Sequence, residues 1–161
     1  MIILSWYCRG LGSPSAVPNI RNLARGHKPD ILFLSETLAN TRSMENIHVM
    51  LGYDSYLALD VERQEQWKGR SSGLTMFWKD VSNCRVLNYS QNFINLIVED
   101  REAGDWRLTC YYDFPERTCR RDAWDLLREL RDMSYLLWCI IEDFNDLLSQ
   151  QHKVGFNPHP N

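Results

Sequence analysis

Three absences narrow the reading of this 161-residue chain. No two of its 5 cysteines (Cys8, Cys84, Cys110, Cys119, Cys139) form a Cys-x-x-Cys pair, and their number is odd. Reduced thiols are therefore expected, rather than a disulfide framework or a zinc site. No apolar run is long enough to span a bilayer. The opening Ile2-Ile3-Leu4 reads at once as a strand, which leaves no room for a signal peptide. A soluble nuclear or cytoplasmic protein with no membrane partner is the expectation, and no obligate protein partner is evident. A basic excess is missing too. Lys and Arg number 18 against 21 Asp and Glu, a net charge of -3, so no global field announces nucleic acid. Local patches at Arg117, Arg120 and Arg121, or at Lys68 and Arg70, remain available as contacts.

What is present suffices for one domain, residues 1–161, with a real core: 44% of residues are hydrophobic and 12% aromatic. Ile2 to Trp6 reads as a buried strand. A turn follows, and Ser15 caps a short helix with Val17, Ile20, Leu23 and Ala24 on one face. Ile31 to Leu34 is a second apolar strand, parallel to the first by the crossover rule. Ser43 starts another helix, carrying Ile47, Met50 and Leu51 and ended by Gly52. A meander is expected next, with strands at Ser55 to Leu59, Leu74 to Trp78, Arg85 to Tyr89, Phe93 to Val98 and Trp106 to Tyr112. A helix from about Arg120 to Met133 buries Ala123, Leu126, Leu127 and Leu130, and a strand follows at Leu136 to Ile141. No internal repeat or linker interrupts this mixed α/β order.

The chemistry-bearing residues sit at strand ends. Asp143-Phe144-Asn145 follows the last apolar run, and an acid and an amide one residue apart share one side of an extended backbone. Such a pair can position water, metal or phosphate; taken alone it fits a turn starter equally well. Glu36 closes Pro29-Asp30-Ile31-Leu32-Phe33-Leu34-Ser35-Glu36-Thr37, where an isolated acid is usually a solvated cap. The 4 histidines (His27, His48, His152, His159) show no metal-ligand spacing and read as exposed loop or helix residues.

In order, these segments resemble the exonuclease–endonuclease–phosphatase superfamily, with its DNase I-like fold. They are most similar to the endonuclease domain of plant non-LTR (LINE-type) retrotransposons. The likeness rests on Leu4-Ser5-Trp6 with Cys8-Arg9-Gly10-Leu11-Gly12, on the Glu36 segment, and on Gly73-Leu74 with Phe77-Trp78-Lys79. It continues through Trp106-Arg107-Leu108-Thr109-Cys110-Tyr111-Tyr112 with Pro115, and through Asp143-Phe144-Asn145 with Leu147-Leu148. The resemblance implies a four-layer α/β (α+β) sandwich, truncated at its C-terminal end. It implies a divalent-metal-dependent DNA endonuclease with DNA as the ancestral substrate. Glu36 would bind Mg²⁺ or Mn²⁺, an ion that takes oxygen ligands and keeps several waters. Asp143 would orient or deprotonate the attacking water, and Asn145 would hold that water or the phosphate. Tyr112, favoured over Tyr111, would donate to a phosphate oxygen.

Departures from the family pattern are equally informative. Tyr7 stands where the family has an Asn, and its bulk is expected to enter the metal pocket. Glu142 and Asp113 replace glycines and are expected to add negative charge beside an anionic substrate. The family's later Asp-His dyad has no counterpart here, and general-base catalysis is commonly worth about a hundredfold to ten-thousandfold. Missing strands are expected to leave apolar faces on Phe93 to Val98 and Trp106 to Tyr112 uncovered. Weak or absent activity follows. The alternative is a non-catalytic relic serving at most as a weak DNA- or protein-binding module.

Overall fold

Two runs of apolar residues, Ile3–Tyr7 (β1) and Ile31–Ser35 (β2), pair in parallel around the helix Ala16–His27 (α1). The structure is a computed structural model that describes residues 1–11, 14–59, 73–112 and 120–143; for Thr41, Arg120 and Asp143 it describes the backbone alone. Every residue of β2 is buried, as a central strand covered on both faces requires. Ser15 holds the N-cap position of α1 without a side-chain capping hydrogen bond. The second helix, Thr41–Leu51 (α2), begins before Ser43. Asn40 is its cap, with the side-chain oxygen accepting from Ser43 N–H at 2.9 Å. Gly52 ends it in the left-handed region, φ 71°.

The expected single meander is instead divided between two sheets. Ser55–Leu59 (β3) and Leu74–Trp78 (β4) join the first, giving the order β1-β2-β4-β3 with β4 antiparallel to both neighbours. A 3₁₀ turn at Asp80–Ser82 then carries the chain across. Cys84–Ser90 (β5), Phe93–Val98 (β6) and Trp106–Tyr112 (β7) form the second sheet, antiparallel in sequence order. The helix Arg120–Asp132 (α3) leads to Leu137–Asp143 (β8), which lies parallel to β7. Sequence patterning marked these strands but not the change of sheet, because both faces of β4 and β6 are buried and mostly apolar.

Side-chain alternation sorts the core into three interfaces. Ile31, Phe33, Leu74 and Met76 meet Ile94, Leu96, Leu108, Cys110 and Tyr112 between the sheets. Leu32, Leu34 and Phe77 point the other way, onto Ile20, Met44 and Ile47 of α1 and α2. Phe93 and Tyr111 pack under Ala123, Leu127 and Leu130 of α3. Four layers result: helices, sheet, sheet, helix. The strands β6 and β7 are therefore buried, against the expectation that truncation would bare them. Exposure falls on β8, where Leu137 is 76% accessible at the edge of the second sheet. Under α3 the sheet carries buried polar groups in register. Trp138 Nε1–H donates to Thr109 Oγ1 at 2.8 Å, and Thr109 donates to Asn95 Oδ1 at 2.9 Å. Arg107 is wholly buried there, its guanidinium 4.7 Å from the Trp138 ring centroid.

Among the described residues no helix is long and apolar enough to cross a membrane. His48 differs from expectation: it is half-buried on α2 and packs at 4.7 Å on the Tyr56 ring. Cys8, Cys84, Cys110 and Cys139 are free thiols.

Candidate active site

Loops leaving β1 and β2 run side by side, and this builds the site. Cys8 N–H donates to Ser35 O at 3.0 Å, Gly10 N–H to Glu36 O at 2.7 Å, and Leu11 N–H to Thr37 O at 2.8 Å. Backbone ladders of this kind continue the sheet pairing beyond the strands and fix where residue 36 stands. The chain turns sharply here. Arg9, Glu36 and Leu38 all have positive φ, at 52°, 52° and 48°, which non-glycine residues rarely adopt. Strain of this sort is kept only where surrounding contacts enforce it, and it gathers at functional sites.

Gly10 and Gly73 make the turn possible. Gly10 sits at φ 90°, and a β-carbon there would press on Leu38 at 3.2 Å. Gly73, at φ 57°, would drive a β-carbon into Thr37 Oγ1, and its carbonyl accepts from Thr37 N–H at 3.2 Å. Both glycines were visible in the quoted motifs. Their task, supporting the Glu36 loop from either side, was not.

Glu36 emerges half-buried from this support, facing the end of β7. Tyr112 O–H donates to Glu36 Oε1 at 2.7 Å, a contact spanning 76 residues of sequence. Tyr112 is 5% exposed and Tyr111 1%, yet they point to opposite faces: Tyr112 toward the other sheet, Tyr111 under α3. Tyr7, at the end of β1, stacks on Tyr112 with ring centroids 6.2 Å apart and planes 12° apart. The Arg9 guanidinium lies over the Tyr7 ring at 5.7 Å. Burial, then the hydrogen bond to Glu36, raises the Tyr112 pKa well above its ordinary value. For Tyr7 the neighbouring Glu36 carboxylate is the larger cause of a raised pKa, with burial second. Tyr112 is thus a neutral donor to the Glu36 carboxylate, with the Tyr7 ring stacked on it.

Asp143 lies at the last position of β8, its backbone in register with Tyr112. The strand runs two residues beyond Ile141, so Asp143 belongs to the sheet. Asn145 and Asp113 fall outside the described residues. Glu142 pairs in register with Tyr111, on the α3 side of the sheet. Its charge therefore does not crowd the Glu36 side, contrary to expectation. Structure thus brings Glu36, Tyr112 and the backbone of Asp143 to one end of the sandwich, and adds Tyr7 and Arg9.

A divalent cation would find one suitable oxygen donor in this set, the Glu36 carboxylate. Mg²⁺ is often held by one or two carboxylates and several waters, so the donor chemistry fits. Among the described residues no group of three or more His, Cys, Asp or Glu side chains gathers to hold a metal ion. A separate cleft of about 260 Å³, lined by Arg21, Arg25, Lys28, Tyr53 and Lys79, lies at the opposite ends of β1 and β2. Its cations complement the C-termini of α1 and α2, and Lys79 pairs with Asp30 at 3.1 Å.

No family model matches this sequence, and no curated protein matches it. Solved structures do. The endonuclease domain of TRAS1, a telomere-specific non-LTR retrotransposon, superposes with TM-score 0.54 at 15% identity, covering 88% of this chain and 57% of that one. An AP endonuclease from Leishmania major gives TM-score 0.59 at 15% identity, covering 96% and 58%. TDP2 from D. rerio, complexed with a single-strand DNA product, gives 0.60 at 13% identity, covering 91% and 61%. The chain spans less than two thirds of each. Two facing sheets between helix layers, shared with these structures, give the chain the DNase I-like fold.

Proposed function

We propose that the chain is part of a divalent-metal-dependent phosphodiester hydrolase, a DNA endonuclease of retrotransposon origin with weak activity. One observation carries the reading: Tyr112 and Glu36, from different sheets, meet at 2.7 Å on a strained, doubly supported loop, with Asp143 in register beside Tyr112. Glu36 would hold Mg²⁺ or Mn²⁺, which when bound supplies Lewis-acid polarisation of a phosphoryl oxygen. Tyr112, a neutral donor, would hydrogen-bond an oxygen on which charge builds. Asp143 would orient or deprotonate the attacking water, and Asn145 would hold that water or the phosphate in line. DNA as substrate is supported by two neighbours, one a retrotransposon endonuclease and the other bound to a DNA product.

Supercoiled plasmid incubated with the purified chain and Mg²⁺ tests this. Slow nicking, lost in Glu36→Ala and in Asp143→Ala, is the expected result. Nicking indifferent to both substitutions refutes the assignment. A second reading, binding without cleavage, is favoured by the Tyr112 phenol that already engages Glu36, with Tyr7 stacked on it. Salt-dependent association with duplex DNA and no nicking at any Mg²⁺ concentration would establish it.

A further inference from the structure

The basic cleft of about 260 Å³ has no part in the proposed chemistry. Its Pro29 precedes β2 and Glu36 follows that strand, so at about 3.3 Å per residue the two places lie roughly 20 Å apart. Arg21, Arg25 and Lys28 line it from α1 and its C-cap, Met50 and Tyr53 from the end of α2, and Lys79 from the end of β4. Charge here is unbalanced. Lys79 Nζ is already engaged, donating to Asp30 Oδ1 at 3.1 Å and to Lys28 O at 3.5 Å. Arg21, Arg25 and Lys28 are exposed and make no ion pair among the described residues. Arg21 and Arg25 stand four residues apart and Lys28 three further on, so the three cations share one ridge and repel one another. The helix ends offset only part of this. Each C-terminus carries a charge of roughly −0.5, which leaves about +2 across the cleft.

We propose that this cleft is a second ligand site, which binds a phosphate dianion through Arg21, Arg25 and Lys28, as inorganic phosphate or as the terminal group of a small ester. A terminal phosphate carries about −1.5 to −2 charges at neutral pH, which matches the excess; a carboxylate would leave half of it unmet. Each guanidinium fork can give two parallel hydrogen bonds to phosphate oxygens, and the Lys28 ammonium adds a point charge. A bound anion also relieves the repulsion along α1. Shape points the same way. The cleft is concave and small, so it suits a compact group, and Met50 and Tyr53 offer apolar surface to the body of an ester. The site is independent of Glu36, and its distance from that residue keeps a ligand here clear of a phosphodiester held there.

Amide chemical-shift mapping on the full chain tests this at fixed ionic strength. The probes are inorganic phosphate and thymidine monophosphate, with thymidine as the uncharged control. Both anions are expected to shift the Lys28 and Gly52 amides, which edge the cleft, and thymidine is not. Arg21→Gln combined with Arg25→Gln should weaken binding about tenfold or more, the scale of losing hydrogen bonds to a charged group. Both positions are exposed on a helix, where glutamine is well tolerated. Arg25→Lys keeps the charge and should lose far less than Arg25→Gln. Tighter binding of the nucleotide than of phosphate supports an ester as ligand, and equal affinity supports inorganic phosphate. Shifts confined to the Glu36 end, no shift with either anion, or binding undiminished in the double variant overturns the cleft as a site. Loss of nicking in Glu36→Ala bears on the other site alone.

Discussion

Tyr112 O–H and Glu36 Oε1, 2.7 Å apart, join the second sheet to the loop that leaves the first. A hydrogen bond to an ionised acceptor is stronger than one between neutral groups. Tyr112→Phe keeps the ring in the core and removes the donor, so it is expected to lower unfolding free energy by about 1.5–3 kcal/mol. Urea denaturation measures the change. A midpoint matching the wild type would mean that water replaces the phenol at no cost.

High pH should unfold the chain through its tyrosines. Burial, and next the charge of Asp30, push the Tyr53 phenol up to about 12, and its hydroxyl donates to Pro29 O at 3.1 Å. Tyr112 and Tyr7 are raised as well. In the unfolded chain these groups ionise near pH 10, while the native state keeps its protons to higher pH. Their contribution is therefore complete below about pH 10 and is lost as pH rises through the native values. Stability measured against pH should fall above about 10, and more gently in Tyr53→Phe. A wild-type curve flat to pH 12 would contradict the shift.

Gly73→Ala should damage the site from a distance. Left-handed backbone costs an L-residue about 1–2 kcal/mol, and the new methyl group meets Thr37 Oγ1 directly. Relief requires the Glu36 loop to move. Thermal unfolding should shift downward by more than the backbone term alone, and protection of the Thr37 amide from hydrogen exchange should drop, since its acceptor is Gly73 O. Retained protection would show that the loop is held by the β1 side alone.

Arg107 presents the opposite case, a polar group that stability does not need. Its guanidinium is buried, makes no hydrogen bond among the described residues, and has a lowered pKa because of that burial. Contact with the Trp138 ring recovers part of the loss of water. Arg107→Met keeps the volume and removes the charge, so a stabilisation of about 1 kcal/mol is expected. Should the variant prove less stable, the cation–π contact outweighs the desolvation.

Sequence alone determined the elements and their chemistry. Apolar runs with turn signals between them placed β6 and β7 at their observed limits, because strand periodicity is a local property of neighbouring residues. Quoted motifs selected Glu36, Tyr112 and Asp143, because short words of residue types can be compared without knowing what they touch. Tertiary structure decided everything that joins distant segments. It divided the expected meander into two sheets, since strands apolar on both faces do not say which partner they take. It buried β7 and bared Leu137 of β8, since exposure depends on which neighbours cover an edge. It turned Glu142 away from Glu36 by extending β8, because one strand position reverses the face of a side chain. Tyr7, read in sequence as a substitution, proved a contact: pairing of β1 with β2 sets it beside the Glu36 loop, and Tyr112 becomes its stacking partner only when two sheets face each other.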